Sequence, residues 1–260
     1  MQAGLAYVML GRCQRLEDLF IVRDKYDVSK IRCCKEAKNE SDNLDERAKE
    51  RKTNCNFFEE GKIHLGFMNI RSLRLHWTDF TRDESFKKCE IIGLCETNLH
   101  QDEEVTMPNY ETELVNVGKG QGIASFNRVQ ANTVFTFRSK VLTIIALVYE
   151  QWLIIFVYAS QDASKDEIIA KLANICENKD TNIILMGDFN YDYPRQDNKL
   201  KRYLKQNDFL QLINSPTFES GSTLDHVYVK GIQPDSISVS QKARYYSDHD
   251  AIFVSLMNKN

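Results

Sequence analysis

Proline and glycine are scarce in this chain of 260 residues, with four of the first and eleven of the second. That excludes collagen-like repeats and proline- or glycine-rich low-complexity architecture. Charge of one sign is lacking too. Thirty-four basic and 37 acidic side chains leave a net charge of −3, so any contact with nucleic acid has to come from a local basic patch. The seven cysteines, at 13, 33, 34, 55, 89, 95 and 176, are odd in number and include no Cys-x-x-Cys pair. Neither zinc-finger spacing nor a disulfide framework fits; the pattern reads as reduced thiols in an intracellular, nuclear protein. No signal-peptide cleavage pattern opens the chain and no phosphate-binding Gly-x-x-x-x-Gly-Lys-Ser/Thr loop occurs. The glycines at 118, 120 and 122 read as a turn between strands. The one stretch resembling a membrane span, residues 141–159, has Glu150 and Gln151 at its centre. A carboxylate at mid-bilayer costs roughly 2.5–3.5 kcal/mol. Two consecutive buried strands joined by a tight turn are the expectation instead, with no membrane association.

What is present has globular proportions, 42% apolar and 27% charged residues. Residues 1–22 are compact and apolar. From Arg23 to Lys62, 21 of 40 residues are charged, eleven basic and ten acidic, which describes a charged linker over 23–61 and no core of its own. The texture changes between 58 and 62. From there to 258, strands and helices alternate. Strands are expected at Ile63–Ile70, Ile91–Cys95, Gly122–Asn127, Thr133–Phe137, Leu142–Tyr149, Trp152–Tyr158, Ile183–Gly187, Leu224–Val229 and Ala251–Leu256, and helices at Thr78–Lys88, Lys165–Asn178 and Asn198–Gln211. Many strands with few helices predict an α/β fold, a four-layer α/β sandwich of two packed, mainly antiparallel sheets flanked by helices.

Polar residues recur at the ends of these buried-looking strands: Asn69, Glu96, Tyr158, Asp188 and Asn190, Asp225 and His226, then Ser247, Asp248 and His249. Each alone is an ordinary turn or cap. Six such ends together gather carboxylates, amides and a histidine, the set a divalent-metal phosphodiesterase needs, with hard oxygens for Mg²⁺ and an acid–base pair for water.

In order, NIRSL (69–73), ETN (96–98), VY (157–158), GDFN (187–190), STLDHVYV (222–229) and SDH (247–249) resemble the endonuclease/exonuclease/phosphatase superfamily. That superfamily includes DNase I, the apurinic endonucleases and the endonucleases of non-LTR retrotransposons. The resemblance implies Glu96 as the principal Mg²⁺ ligand (Mn²⁺ as the alternative), with Asn69 and Asp248 near the metal. It implies that His249 meets the scissile phosphate and moves protons, that Asp225 orients the imidazole, and that Asp188 handles the attacking water. Asn190 would hold water or phosphate, and Tyr158 would donate to a non-bridging oxygen. The products would be a 5′-phosphate and a 3′-hydroxyl. Arg71 stands where the apurinic endonucleases carry Asp, which favours the retrotransposon-type branch, and Ala159 and Ser160 follow Tyr158 where the family commonly has Pro. His226 reads as structural, because adjacent strand residues face opposite ways. Arg71, Arg74, Lys119, Arg128 and Arg244 are the expected DNA-phosphate contacts.

AYVMLGRCQRLEDLF (6–20) resembles the last conserved motif of Pif-type DNA helicases, with Arg12 at the ATP-sensing arginine. No Walker A motif precedes it, so ATP hydrolysis is not expected of this chain. The layout resembles that of Helitron-like transposons and implies a helicase domain as partner; whether Met1 lies inside a longer protein stays open. Taken together, these features predict a mobile-element DNA endonuclease. A same-fold enzyme acting on RNA or lipid, and an inactive relic that only binds nucleic acid, are the alternatives.

Overall fold

The computed structural model describes residues 57–118, 120–177 and 182–257. Strand β1 (Lys62–Asn69) leads through Ser72 into helix α1 (Leu73–Arg82), and a 3₁₀ turn (Phe86–Lys88) precedes β2 (Ile91–Cys95). Then come β3 (Glu111–Val115), β4 (Ile123–Asn127), β5 (Asn132–Arg138), β6 (Leu142–Tyr149) and β7 (Trp152–Ala159). Helix α2 (Lys165–Cys176), β8 (Asn182–Asp188), α3 (Lys199–Gln206) and the two-residue β9 (Leu210–Gln211) follow. β10 (Asp225–Lys230), β11 (Ile237–Lys242) and β12 (Ala251–Met257) close the fold. One six-stranded sheet has the order β11-β12-β1-β2-β4-β3 and the other β5-β6-β7-β8-β10-β9. Neighbours run antiparallel except for one parallel pair in each sheet, β1–β2 and β7–β8.

Those two parallel pairs position the site. A parallel pair brings two carboxyl ends to one edge of a sheet, and an antiparallel neighbour brings an amino end to the same edge. Strands β1, β2, β7 and β8 therefore end where β10 and β12 begin. Side-chain alternation does the rest. In β1, Leu65 and Phe67 face the gap between the sheets, while Met68 packs with Phe80 of α1 on the outer side. In β7, Ile154, Phe156 and Tyr158 face the gap, and Leu153, Ile155 and Val157 pack on the outer side with Ile168 and Leu172 of α2. Phe67 stacks on Phe156 across the gap at 6.1 Å. Asn69, Asp188 and Asp225 share the parity of Phe67, Met186 and Val227, so with Tyr158 they emerge into the gap at one end.

The four layers match the expectation, and several boundaries do not. The helix expected at Thr78–Lys88 begins at Leu73 and ends at Arg82. The Ser72 hydroxyl accepts from the Leu75 N–H at 3.2 Å and starts it early, and the Asp83 carboxylate accepts from the Ser85 N–H at 2.9 Å and ends it. The helix expected at Asn198–Gln211 stops at Gln206, because Asp208 takes φ +62° and Phe209 N–H returns to the Leu204 carbonyl at 3.0 Å. Strands β3, β9 and β11 were not expected. β3 and β11 are edge or near-solvent strands with few buried positions, and lack the two-sided apolar signal that marks a central strand. Residues 141–159 form the β6–β7 hairpin around Glu150, which takes φ +50°. No described helix is long and apolar enough to cross a membrane. Residues 1–22, 23–56 and Lys119 lie outside the described residues.

Gly187 controls the spacing of β7 and β8. A Cβ there would sit 2.4 Å from the Val157 carbonyl oxygen, a backbone atom that cannot swing aside. Gly187→Ala is expected to destabilise by about 2–3 kcal/mol, lowering the melting temperature by roughly 5–10 °C. An unchanged melting curve would mean that the two strands are free to spread.

Candidate active site

Asn69, fully buried, is the centre of the cluster. Its Oδ1 accepts from the Arg71 N–H at 3.0 Å, which turns the amide nitrogen toward the gap. That nitrogen donates to Glu96 Oε1 and to Asp188 Oδ2, both at 2.9 Å. Sequence reading puts Asn69 near the metal, and its amide N–H₂ group bridges two carboxylates from different sheets, one of them Glu96. The chain turns sharply just beyond the strand ends: Arg71, Glu96, Asn98 and Asn190 take φ of 58°, 50°, 57° and 49°. Left-handed backbone is uncommon away from glycine and clusters where geometry is functional. Asn98 stitches these turns together, donating to the Arg71 carbonyl and accepting from the Gly120 N–H.

Asp188 is fully buried at the end of β8. Its Oδ1 accepts from the Asn190 N–H at 2.9 Å, and its Oδ2 from Asn69. Burial and then the Asp225 charge hold its carboxyl well above the usual carboxylate range, against the opposing pull of His249 and the two hydrogen bonds. The Asn190 amide nitrogen donates to the Ala159 carbonyl at 3.1 Å, tying the β8 turn to the end of β7. Burial, followed by the nearby Glu96 and Asp188 carboxylates, pushes the Tyr158 pKa far up, so it stays protonated.

His249 and Asp225 form a buried pair, Nδ1 to Oδ2 at 2.8 Å. Burial opposes a charged imidazole here, yet the Asp225 charge and hydrogen bond, then Asp188 and Asp248, outweigh it and raise the His249 pKa to about 9. Nδ1–H is thus committed to Asp225. The Ser247 hydroxyl donates to the Asn69 carbonyl at 2.7 Å and accepts from the His249 N–H at 3.1 Å. Two supporting residues escaped sequence reading. Thr217 Oγ1 accepts from the Leu224 and Asp225 N–H groups, each at 3.0 Å, and the Phe218 ring lies 4.8 Å from the His249 ring. Their segment, PTFESGST, carries only a turn signal.

His226 faces the other way, as alternation requires. Its Nε2–H donates to the Thr223 carbonyl at 3.0 Å, so Nδ1 accepts from the Tyr228 hydroxyl at 3.1 Å. Tyr228 in turn pairs with the Tyr191 hydroxyl at 2.7 Å. Burial lowers the His226 pKa to about 4 and keeps it neutral, a structural role.

The expected DNA contacts divide. Arg71, about half exposed, pairs with Asp248, and Arg74 pairs with Glu103. Arg128 donates to the Lys87 and Lys88 carbonyls and pairs with Glu90. It follows Asn127, which pairs with Ile91 at the end of the sheet opposite Glu96. Arg244 pairs with Asp83 at 2.6 Å and lies over Phe253, its side chain only 11% exposed. Arg128 is therefore engaged at the far end of the sheet, and Arg244 is ion-paired with Asp83. Lys119 lies outside the described residues.

The donor set fits a hard divalent cation. Asp225 Oδ1 and Asp248 Oδ1 are buried oxygens without a hydrogen-bond partner among the described residues, and such orphaned acceptors call for a cation. Ligand atoms of Asp188, Asp225 and His249 lie within 4.8 Å of one another. Of these three, His249 is the poor ligand, because a protonated imidazole has no lone pair to give. The carboxylates suit the metal and His249 suits the proton.

Known proteins share this fold. The profile of the Endonuclease/Exonuclease/phosphatase family matches residues 69–249, from the first site residue to the last. No curated protein sequence matches significantly. Among solved structures, a 3′-5′ exonuclease from Neisseria meningitidis superposes with a TM-score of 0.60 at 15% identity, over 75% of this chain and 99% of that one. The endonuclease domain of TRAS1, a telomere-specific non-LTR retrotransposon, gives 0.56 at 15% identity, over 75% and 98%. An AP endonuclease from Archaeoglobus fulgidus gives 0.57 at 13% identity, over 76% and 100%. The helicase-like reading of residues 6–20 lies outside both the matched range and the described residues. The matched residues span the whole strand-end cluster and more than half of the chain, and the chain belongs to the endonuclease/exonuclease/phosphatase family.

Proposed function

We propose that this protein is a Mg²⁺-dependent DNA endonuclease derived from a mobile element. The observation that carries the reading is the polar cluster between the sheets, where Asn69 bridges Glu96 and Asp188 and Asp225 holds a protonated His249. Glu96 and Asp248 would hold the cation, with Asn69 beside Glu96. When bound, Mg²⁺, or Mn²⁺ in its place, would neutralise negative charge on the phosphate oxygens.

The chain's own residues do the rest. Asp188, with its raised pKa, takes a proton from the attacking water, and a carboxyl tuned toward neutrality is a better base there. Asn190 and Asn69 hold Asp188 in place. His249 presents its imidazolium Nε2–H to the phosphate, and Asp225 keeps it charged and oriented. Tyr158 stays protonated and donates to a non-bridging oxygen. Water adds to phosphorus as the P–O3′ bond breaks, leaving a 5′-phosphate and a 3′-hydroxyl. DNA is favoured over RNA or lipid by the NIRSL form of the first motif and by the nucleases among the structural neighbours. A helicase partner and the mobile-element origin rest on the resemblance of residues 6–20 and of NIRSL.

Nicking of supercoiled plasmid tests the reading. The wild type should nick with Mg²⁺ and stop with EDTA, and Asp188→Ala should be inactive while still folded. A folded wild type that leaves the plasmid intact would transfer the proposal to RNA or lipid phosphodiesters, or to an inactive relic.

A further inference from the structure

Among the described residues, five large apolar side chains stand out in solvent, and two of them, Leu75 at 73% exposure and Tyr245 at 86%, belong to the segments that carry Arg71 and Asp248. Tyr245 is not loose. Its hydroxyl donates to Asp79 Oδ1 at 2.6 Å, and its ring meets that of Tyr246 edge-on at 5.1 Å. Tyr246 is itself buried, its hydroxyl bonded to Asp83 Oδ2 at 3.1 Å. Asp79 lies one turn of α1 after Leu75, which puts their Cβ atoms about 6 Å apart on one face. The β11–β12 loop and α1 are thus clamped twice, by Arg71–Asp248 and by Tyr245–Asp79.

The hydroxyl bond and the edge contact restrict this ring while most of its apolar surface stays in solvent. Such a ring is preorganised for a flat partner. Tyr245 precedes His249 by four residues, a chain reach of at most about 14 Å, and duplex DNA rises about 3.4 Å per step. The Tyr245 backbone therefore lies within about four duplex steps of the His249 backbone. Arg71, just before α1, and Arg74 in its first turn have side chains 54% and 61% exposed while paired with Asp248 and Glu103. A paired base hides both faces in the stack, whereas an unpaired base offers one.

We propose that Tyr245, with Leu75 beside it, is a stacking platform for an unpaired nucleobase next to the scissile phosphate, so that the protein prefers DNA with unpaired bases over uninterrupted duplex. This rests on the DNA reading above. The test uses the full chain as wild type, Tyr245→Ala and Tyr245→Trp. Binding of a labelled single strand and of the same sequence as a duplex is measured in EDTA. Cleavage of a bubble and of its fully paired counterpart is measured in Mg²⁺.

Tyr245→Ala should weaken single-strand binding roughly tenfold and slow bubble cleavage comparably, with duplex values within about twofold of wild type. Tyr245→Trp should retain the preference, and its indole fluorescence should be quenched by the single strand. Equal losses on both forms, or none, would overturn the platform while leaving the DNA nuclease reading intact. A wild type that neither binds nor cuts DNA of either form would overturn both.

Discussion

Asp225→Asn should lower cleavage by about three to four orders of magnitude, by analogy with other carboxylate–histidine pairs, while leaving the protein folded. The variant keeps the shape of the side chain but removes the charge that holds a proton on His249. Burial is then opposed only by the more remote Asp188 and Asp248 charges, and the imidazole pKa falls. In the wild type, His249 keeps its proton until about pH 9, so the alkaline limb of the pH–rate profile should move to lower pH in the variant. An NMR titration of the imidazole should show the same displacement. His249→Ala alone should cost as much as the His249→Ala/Asp225→Asn double variant, because the two act as one unit. Additive losses would mean that they act separately.

The same pair makes a stability prediction. A histidine whose folded pKa is raised contributes stability that is complete below the unfolded value and lost as pH rises through the folded value. For His249 that window runs from about 6.5 to about 9. Urea melts of the metal-free wild type should therefore lose the His249 contribution across that window, and Asp225→Asn should not show that loss.

Glu96→Ala should abolish Mg²⁺ binding measured by calorimetry and reduce cleavage at least about a thousandfold, since charge neutralisation by a cation is worth several kcal/mol. The fold should not suffer. Glu96 sits beside Asp188 on the shared Asn69 amide, so without metal its carboxylate adds repulsion. The variant's melting temperature in EDTA should equal or exceed that of the wild type, the usual trade between a crowded site and stability. A variant that still binds Mg²⁺ would move the principal ligand to Asp188 or Asp248.

How much of this was legible in the sequence differs by element. β1, β6, β7, β8 and β12 lie inside their sheets and are buried along most of their length, so their apolar runs are unbroken and easily read. β3 has one buried position and β9 has two residues, leaving no period to detect. The helix ends depended on side chains that bind nearby backbone, Ser72 and Asp83, and on the left-handed turn at Asp208. Propensity alone does not weigh such contacts.

The sequence by itself determined which residues end the strands, because each motif places a polar side chain just where an apolar run stops. It also determined that His226 and Asp225 face apart, since alternation is a local property of a strand. Only the tertiary structure decided what those ends meet. Two parallel strand pairs on facing sheets bring Asn69 to Asp188 and Asp225 to His249 across 119 and 24 residues of chain. The same assembly set the Asn69 amide between two carboxylates, paired Arg128 with Glu90 and Arg244 with Asp83, and left Tyr245 exposed against α1. The physical reason is range. Strand parity and turn chemistry act over a few residues, whereas charge, hydrogen-bond polarity and exposure depend on neighbours that only the packing of the two sheets supplies.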